Sequence, residues 1–420
     1  MTRPITVFLL FTALLYGQTP KDVRAVAKQG SSAIPTVAQY LNSGSVDTRV
    51  EAIKQLTAIG GKDTIDPLMR GTQDADPEVQ IRATDGLVNY YLPGYIRQGL
   101  GSSVIRAGAS LKAKFSDTND QVIDSFVMVR PDVIVALGRL ARGGSSMDSR
   151  ANACRAIGIL RGAAALPDLA EALRTKDNRV MYESLIAMQK IGDASAGPRI
   201  VYLLRDLDDK VQGAAIETAG LLRTKEALPA LRAIIARPRN SKAERSALAA
   251  LALMPDVNDR ALLTVYVSSK DDKMRAFAAE GLGRFSDPSD GPVLEKIWKE
   301  EEKMLPRLAA AFGLVEEGNL SLADDAPFRY LINTLNSAAY HDVAVAYLTE
   351  AARKLNVRDA LYKPLDQGSR DEKIQLSRIL AASGDETSVL WLEKISRDTD
   401  SEVAQEGLRA VRSLRARLKV

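Results

Sequence analysis

The sequence has 420 residues, of which 46% are hydrophobic and 26% are charged, a composition that excludes wholesale disorder. The length requires about two or three compact domains or one elongated repeat array, and scattered β-branched residues argue against a mostly β fold. Cys154 and His341 are the only residues of their types, too few for a structural zinc, haem or iron–sulfur site. The net charge of +4 predicts no nucleic-acid partner.

The first seventeen residues have the order of a secretory signal peptide. Arg3 precedes an apolar stretch over residues 5–15, which only Thr6 and Thr12 interrupt, and Gly17 follows as a small residue for cleavage. We therefore expect a signal peptide over residues 1–17 and a periplasmic or secreted protein. The stretch is too short to cross about 30 Å of hydrocarbon as a helix. No later segment is apolar enough to cross a membrane, so no transmembrane segment is expected in the mature chain. The alternative is a buried first helix.

A segment of the form Asp-x-x-Val, followed by small and apolar residues, recurs along the chain. Its copies start at Asp47, Asp76, Asp148, Asp177, Asp208, Asn240, Asp271, Glu301, Tyr340, Asp371 and Asp400. Eight of the ten intervals between fourth positions lie between 29 and 32 residues, and the other two are 72 and 39. This regularity predicts a repeat protein with eleven structural units.

Each unit reads as a helical hairpin. The aspartate at the first position predicts the N-cap of a second helix, and apolar residues at spacings of three and four give that helix one buried stripe. An earlier, first helix often opens with a proline, a residue that suits the first helical turn. The prolines at these positions are Pro35, Pro67, Pro131, Pro167, Pro198, Pro229, Pro292 and Pro327.

The repeat resembles the HEAT repeats of the short bacterial kind, which are also called PBS-lyase-like. The closest copy is D-D-K-M-R-A-F-A-A-E-G-L-G over residues 271–283. The resemblance implies an all-α fold, an α-solenoid of about eleven helical hairpins wound as a superhelix with a concave face. The family includes scaffolds, bilin lyases and isomerases, iron-dependent hydroxylases and some DNA glycosylases, so the resemblance does not fix an activity.

The long interval of 72 residues divides the repeats and predicts an insertion. We expect an N-terminal repeat block over 18–91, the insertion over 92–130 and a C-terminal repeat block over 131–420. Between residues 86 and 116 there is no acidic residue. Aromatic and basic residues of this kind favour a partner-binding lobe, although a spacer packed on the adjacent repeats is the competing interpretation. The candidate partner-binding residues are Tyr90, Tyr91, Tyr95, Arg97, Arg106, Lys112 and Lys114.

No catalytic or metal site is expected from the remaining motifs. The acidic loop over 316–325 and the Asp74-x-Asp76-x-Glu78 pattern lack the spacing of a calcium loop. Cys154 and His341 belong to distant repeats, and Cys154 lies in a predicted buried stripe, so a nucleophile–base pair is not predicted. No cofactor is expected.

The sequence therefore favours an exported, non-catalytic scaffold that binds a protein partner. The alternative is an enzyme similar to the bilin lyases or isomerases of the HEAT family. A nucleic-acid-binding HEAT protein is a third hypothesis, which the small net charge and the predicted export disfavour.

Overall fold

The computed structural model describes residues 19–96 and 121–419. Across these residues the secondary structure is helical and contains no strand. Consecutive helices form antiparallel hairpins that stack on one another, so the fold is the predicted all-α solenoid. The chain divides into two compact units, which we treat separately. Unit one comprises the described residues up to 121 and Val129–Ala172, and unit two comprises Val122–Met128 and residues 173–419.

Within its described residues, unit one contains eight α-helices joined by short loops and 3-10 turns. They are α1 Pro20–Ala27, α2 Ile34–Gln39, α3 Val46–Ile59, α4 Ile65–Gly71, α5 Pro77–Tyr91, α6 Pro131–Gly143, α7 Met147–Ile159 and α8 Leu166–Ala172.

Unit two contains fourteen α-helices within its described residues, together with a 3-10 helix over Ala194–Arg205. The α-helices are α9 Asn178–Ile191, α10 Asp209–Leu221, α11 Leu228–Ala236, α12 Ser241–Ala252, α13 Arg260–Tyr266, α14 Asp272–Phe285, α15 Gly291–Glu300, α16 Met304–Glu316, α17 Pro327–Thr334, α18 His341–Ala351, α19 Leu355–Gln367, α20 Arg370–Ser383, α21 Glu386–Ile395 and α22 Ser401–Leu418.

All eleven predicted second helices are present. They are α3, α5, α7, α9, α10, α12, α14, α16, α18, α20 and α22. Their apolar stripes form the core, in which the largest fully buried side chains include Phe312, Leu87 and Ile157. The period of about thirty residues therefore identified real structural units.

The predicted N-caps are only partly correct. The side chains of six first-position residues accept backbone N–H bonds as predicted, namely Asp76, Asp177, Asp208, Asn240, Asp271 and Asp400. Three helices begin two residues earlier than predicted, because Ser45, Ser146 and Ser369 supply the cap in place of Asp47, Asp148 and Asp371. A serine hydroxyl caps as well as a carboxylate, and each aspartate then lies in the first turn, where the helix dipole favours it.

Two further copies have no side-chain cap. Lys303 precedes α16 and Tyr340 precedes α18, and neither side chain accepts a bond from the first turn. The predicted cap Glu301 lies outside α16 and accepts the Lys303 N–H at 2.9 Å. Glu301 instead pairs with Arg275 of the preceding repeat.

Prolines open most of the first helices as predicted. Pro35, Pro131, Pro167, Pro229, Pro292 and Pro327 occupy the first or second helical position. Pro67 is the third residue of α4, and Pro198 lies inside the 3-10 helix over Ala194–Arg205. Proline in the first turn costs no hydrogen bond, which explains its recurrence at the six regular positions.

Small residues bring the second helices of unit two very close together. A Cβ added to Gly283 of α14 would lie 2.4 Å from the Cα of Gly313 in α16. A Cβ added to Gly220 of α10 would similarly lie 2.9 Å from the Cα of Ala250 in α12. Any larger side chain at these glycines would push the backbones apart, so the glycines set the spacing of the second helices.

Candidate functional site

Two of the predicted partner-binding tyrosines lie at the C-terminal end of α5. Tyr91 is only 9% exposed, and its hydroxyl oxygen accepts the backbone N–H of Arg130 at 3.2 Å. Tyr90 is half-buried and packs edge to face against Tyr91, with ring centroids 4.8 Å apart. Burial raises the pKa of the Tyr91 phenol. Tyr91 therefore helps to position the start of α6, and Tyr90 presents the more accessible ring.

A small hollow of unit one lies beside Tyr90. Its volume is about 230 Å³, and its lining includes Thr57, Gly61, Thr64, Asn89 and Tyr90. The Asn89 side-chain oxygen accepts the N–H of Ile96 at 2.9 Å, which fixes the first residues after α5. The hollow is too small for a folded partner, but a single side chain would fit into it.

The third tyrosine, Tyr95, is half-buried and follows the turn after α5. The four predicted basic residues of the insertion lie outside the described residues. They are Arg97, Arg106, Lys112 and Lys114. Their role in partner binding stays a prediction.

The end of the insertion lies against the last helix of unit two. We call residues 122–128 the return segment. Its Ile123 is 3% exposed, and Asp124 Oδ1 accepts a hydrogen bond from Arg409 Nε of α22 at 2.9 Å. Ser125 Oγ donates to the carbonyl oxygen of Ser413 at 3.4 Å. No local sequence pattern indicated this contact.

A partly buried charged cluster lies among the second helices of unit two. We call it the Arg284 cluster, and its members are Arg223, Glu280, Arg284, Tyr347 and Glu350. Arg284 donates to Glu350 Oε2 at 2.7 Å, and its Nη1 lies 2.5 Å from Glu280 Oε1. The Tyr347 hydroxyl donates to Glu280 Oε2 at 2.9 Å. Arg223 reaches Glu350 from four repeats away.

The electrostatics of the Arg284 cluster follow from its burial. Burial alone would raise the pKa of the Glu350 carboxyl, but the hydrogen bond and charge of Arg284 outweigh it, so the pKa is lowered. The phenol of Tyr347 has its pKa raised well above its ordinary value by burial and by the Glu280 charge. Arg284 also donates to the carbonyl oxygen of Ala252 at 3.0 Å. The guanidinium of Arg284 thus donates its hydrogen bonds inside the protein, and the cluster stabilises the packing of non-adjacent repeats.

Sequence reasoning missed this cluster for a clear reason. Each member falls at or beyond the C-terminal half of a second helix, where the repeat pattern gives no fixed residue type. The only available signal was a charged residue inside an otherwise small and apolar stripe, as at Glu280 and Arg284. The partner of each charge lies in another repeat, which a local pattern does not reveal.

Other ionisable residues form ladders between neighbouring repeats. Arg49 pairs with Asp74 at 2.7 Å, and Arg275 pairs with Glu301 at 2.7 Å. Further pairs at a spacing of 25 to 27 residues are Arg142–Asp168, Arg232–Asp259, Arg245–Asp271, Arg260–Asp287, Arg358–Asp385 and Lys373–Asp398. Asp74 and Asp76, which hinted at a cation loop in the sequence, therefore have structural partners in a ladder and a cap.

Cys154 and His341 have the most reactive side-chain types in the chain. The first is buried and the second is hydrogen-bonded to the backbone. Cys154 is fully buried in α7. His341 Nδ1 lies 2.9 Å from the Ser337 carbonyl oxygen, and because a carbonyl only accepts, Nδ1 carries the hydrogen. Over residues 19–96 and 121–419, no group of three or more His, Cys, Asp or Glu side chains is arranged to hold a metal ion. No described helix combines the length and apolar character needed to span a bilayer.

No protein-family model matches the sequence, and no curated protein matches it. Solved structures do resemble it. The CpcE–CpcF phycocyanin lyase complex from Nostoc sp. PCC7120 is 18% identical, and the match covers 64% of this chain and 96% of that chain with a TM-score of 0.38. The E. coli protein YibA is 14% identical over 75% of this chain and 98% of its own, with a TM-score of 0.41.

The karyopherin Kap121p is 12% identical, with a TM-score of 0.39, and the match covers 93% of this chain and 47% of Kap121p. These three structures are HEAT-like helical repeat proteins. Because the identities are below 25% and the TM-scores below 0.5, the similarities carry no argument about activity. The chain is thus similar to HEAT-like repeat proteins in the class of its fold.

Proposed function

We propose that this chain is an exported, non-catalytic scaffold of the short bacterial HEAT type that binds a protein partner. The observation that supports it is the use of the recurrent ionisable residues. Carboxylates such as Asp208 and Asp271 cap second helices, and pairs such as Arg275–Glu301 join neighbouring repeats. Residues committed to holding an array together are what a scaffold requires.

The binding site that we propose is the insertion over residues 92–130 with the end of α5. Tyr90 and Tyr95 are half-buried there, so part of each ring is accessible. Aromatic and arginine side chains contribute disproportionately to protein interfaces. Tyr91 is the least accessible of the three tyrosines, so its part is to support Tyr90 through their edge-to-face contact.

The experiment that tests the binding site is partner recovery with two variants. Tagged protein is expressed in its own host, isolated from the envelope fraction, and its partners are quantified by mass spectrometry. We expect a deletion of residues 94–116, and separately the double change Arg97→Ala and Arg106→Ala, to reduce recovery of one partner. A double change at Arg237 and Arg353, two exposed arginines of unit two, is the matched control. Unaltered recovery with both insertion variants would contradict this site.

Export is tested at the amino terminus of the same purified protein. We expect a mature chain that begins at residue 18, as cleavage after Gly17 requires. An intact amino terminus and recovery from the cytosol would contradict export. That outcome would favour the enzymatic alternative, a bilin-lyase-like or isomerase-like member of the HEAT family.

A further inference from the structure

The return segment contacts α22 through a short peptide that turns at Ser125 and Phe126, where the Val127 N–H donates to the Asp124 carbonyl oxygen at 3.0 Å. Ile123 is buried, and the neighbouring Asp124 carboxylate meets the Arg409 guanidinium through two of its nitrogens, at 2.9 and 2.5 Å. Ser125 Oγ adds a bond to the Ser413 carbonyl oxygen. The three contacts combine an aliphatic anchor, a charge pair and a main-chain contact, and so define the chemistry that this face of α22 accepts.

The polar contacts that hold the return segment are weak ones. The Arg409 side chain is 51% exposed, so water and salt screen its pair with Asp124. The Ser125 bond is long, at 3.4 Å. The segment ends at Met128, which is 92% exposed. A competing segment with the same chemistry would therefore displace residues 122–128 without breaking any buried ion pair.

The same face of α22 has binding capacity that the return segment does not use. Arg412 is exposed, and it forms no ion pair with any residue in the described part of the chain. Leu408 is 46% exposed, and Arg412 neighbours both Leu408 and Arg409 on the helix surface, because it lies four positions after the first and three after the second.

We propose that the α22 face formed by Leu408, Arg409 and Arg412 is a docking surface for a short peptide segment of a partner protein. That segment carries an aliphatic residue followed by a carboxylate, and a second carboxylate for Arg412. The return segment occupies this surface when no partner is bound, and the partner segment displaces it on binding. This proposal deepens the proposed scaffold function and rests on it.

A labelled peptide with the sequence of residues 121–128, QVIDSFVM, tests the surface by fluorescence anisotropy. The full chain is compared with a released variant that carries Ile123→Ser and Asp124→Ser. We expect the released variant to bind the peptide at least about tenfold more tightly, because its own segment no longer competes. Equal binding by the two proteins would overturn the proposal.

Charge reversal then tests the ion pair itself. Arg409→Glu in the released variant should weaken peptide binding at least about tenfold, and a peptide with Asp124→Lys should restore it. Arg397→Glu, at an exposed arginine in the loop before α22, is the matched control and should leave binding unchanged. The Asp124→Lys peptide is measured on the same Arg409→Glu protein that binds the unchanged peptide weakly. A misfolded protein would bind both peptides weakly, so restored binding excludes misfolding as the cause. Binding that is insensitive to Arg409→Glu would overturn the proposal.

Two further outcomes separate this proposal from its alternatives. If the full chain forms a dimer that Arg409→Glu dissociates, a second copy occupies the surface and the proposal of a foreign partner is wrong. If a partner is recovered from the host and recovery survives Arg409→Glu, the scaffold function stands and this docking surface is wrong.

Discussion

Arg284 and Glu350 are 66 residues apart in the sequence, yet only 2.7 Å separates the guanidinium Nη2 from the carboxylate Oε2. They belong to α14 and α18, with α16 between them in the repeat order. The close approach of α14 and α16 at Gly283 and Gly313 shortens the distance that the two side chains must span. A glycine contact between backbones thus permits an ion pair between repeats that are not neighbours.

Removing the Arg284 cation should destabilise unit two strongly. We expect Arg284→Met to lower the free energy of unfolding by about 3–5 kcal/mol, because Glu280 and Glu350 would be left without their buried counter-charge. Arg223→Ala removes a partner of Glu350 that is 49% exposed, and we expect a loss of about 0–1 kcal/mol. Urea denaturation measures both values. Similar losses for the two variants would contradict the role given to Arg284.

Stability should depend on pH through Glu350. Its pKa lies below the ordinary 4.5, because the Arg284 hydrogen bond and charge outweigh the opposing effect of burial. The carboxylate therefore stabilises the fold fully above its unfolded pKa, and this contribution is lost as the pH falls through the folded value. We expect the difference in unfolding free energy between the wild type and Glu350→Gln to shrink from about pH 7 to about pH 3. A constant difference across this range would show that Glu350 does not titrate as described.

Two glycine substitutions should change stability in opposite directions. Gly283→Ala places a Cβ 2.4 Å from the Gly313 Cα, and we expect a loss of about 1–3 kcal/mol as the helices separate. Gly213→Ala in α10 meets no atom within 4 Å, and alanine's higher helix propensity should add about 0.5–1 kcal/mol. Thermal unfolding followed by circular dichroism measures both changes. A gain at position 283 would show that the helices do not need this close approach.

The finding that a serine caps the helix in place of the predicted aspartate can be tested at α20. Ser369 Oγ accepts the Glu372 N–H at 3.2 Å, and Glu372 Oε2 accepts the Ser369 N–H at 3.1 Å. We expect Ser369→Ala to cost about 1 kcal/mol, since it removes the cap. Asp371→Asn should cost only about 0.3 kcal/mol, because Asp371 merely contributes a charge to the first turn. A larger loss of stability for Asp371→Asn than for Ser369→Ala in chemical denaturation would show that Asp371 is the cap.

The candidate site was predictable only in part. An interruption of the repeat pointed to the insertion, but the sequence did not distinguish the accessible Tyr90 from Tyr91, whose hydroxyl bonds to the Arg130 backbone. That difference depends on which side of α5 faces Arg130, and both residues have the same type. The contact between Asp124 and Arg409 spans 285 residues, beyond the reach of any local pattern.

The sequence by itself determined the repeat. A period of about thirty residues, prolines at the starts of first helices and polar caps before apolar stripes are local features, and they specify hairpins because helix formation depends on neighbours within a few residues. Tertiary structure decided which charges meet. Arg284 pairs with Glu350, and the return segment contacts α22, only because stacking brings distant repeats together. The stacking in turn depends on close packing at residues such as Gly283. Long-range pairing is a property of the assembled array, so the sequence of one repeat does not contain it.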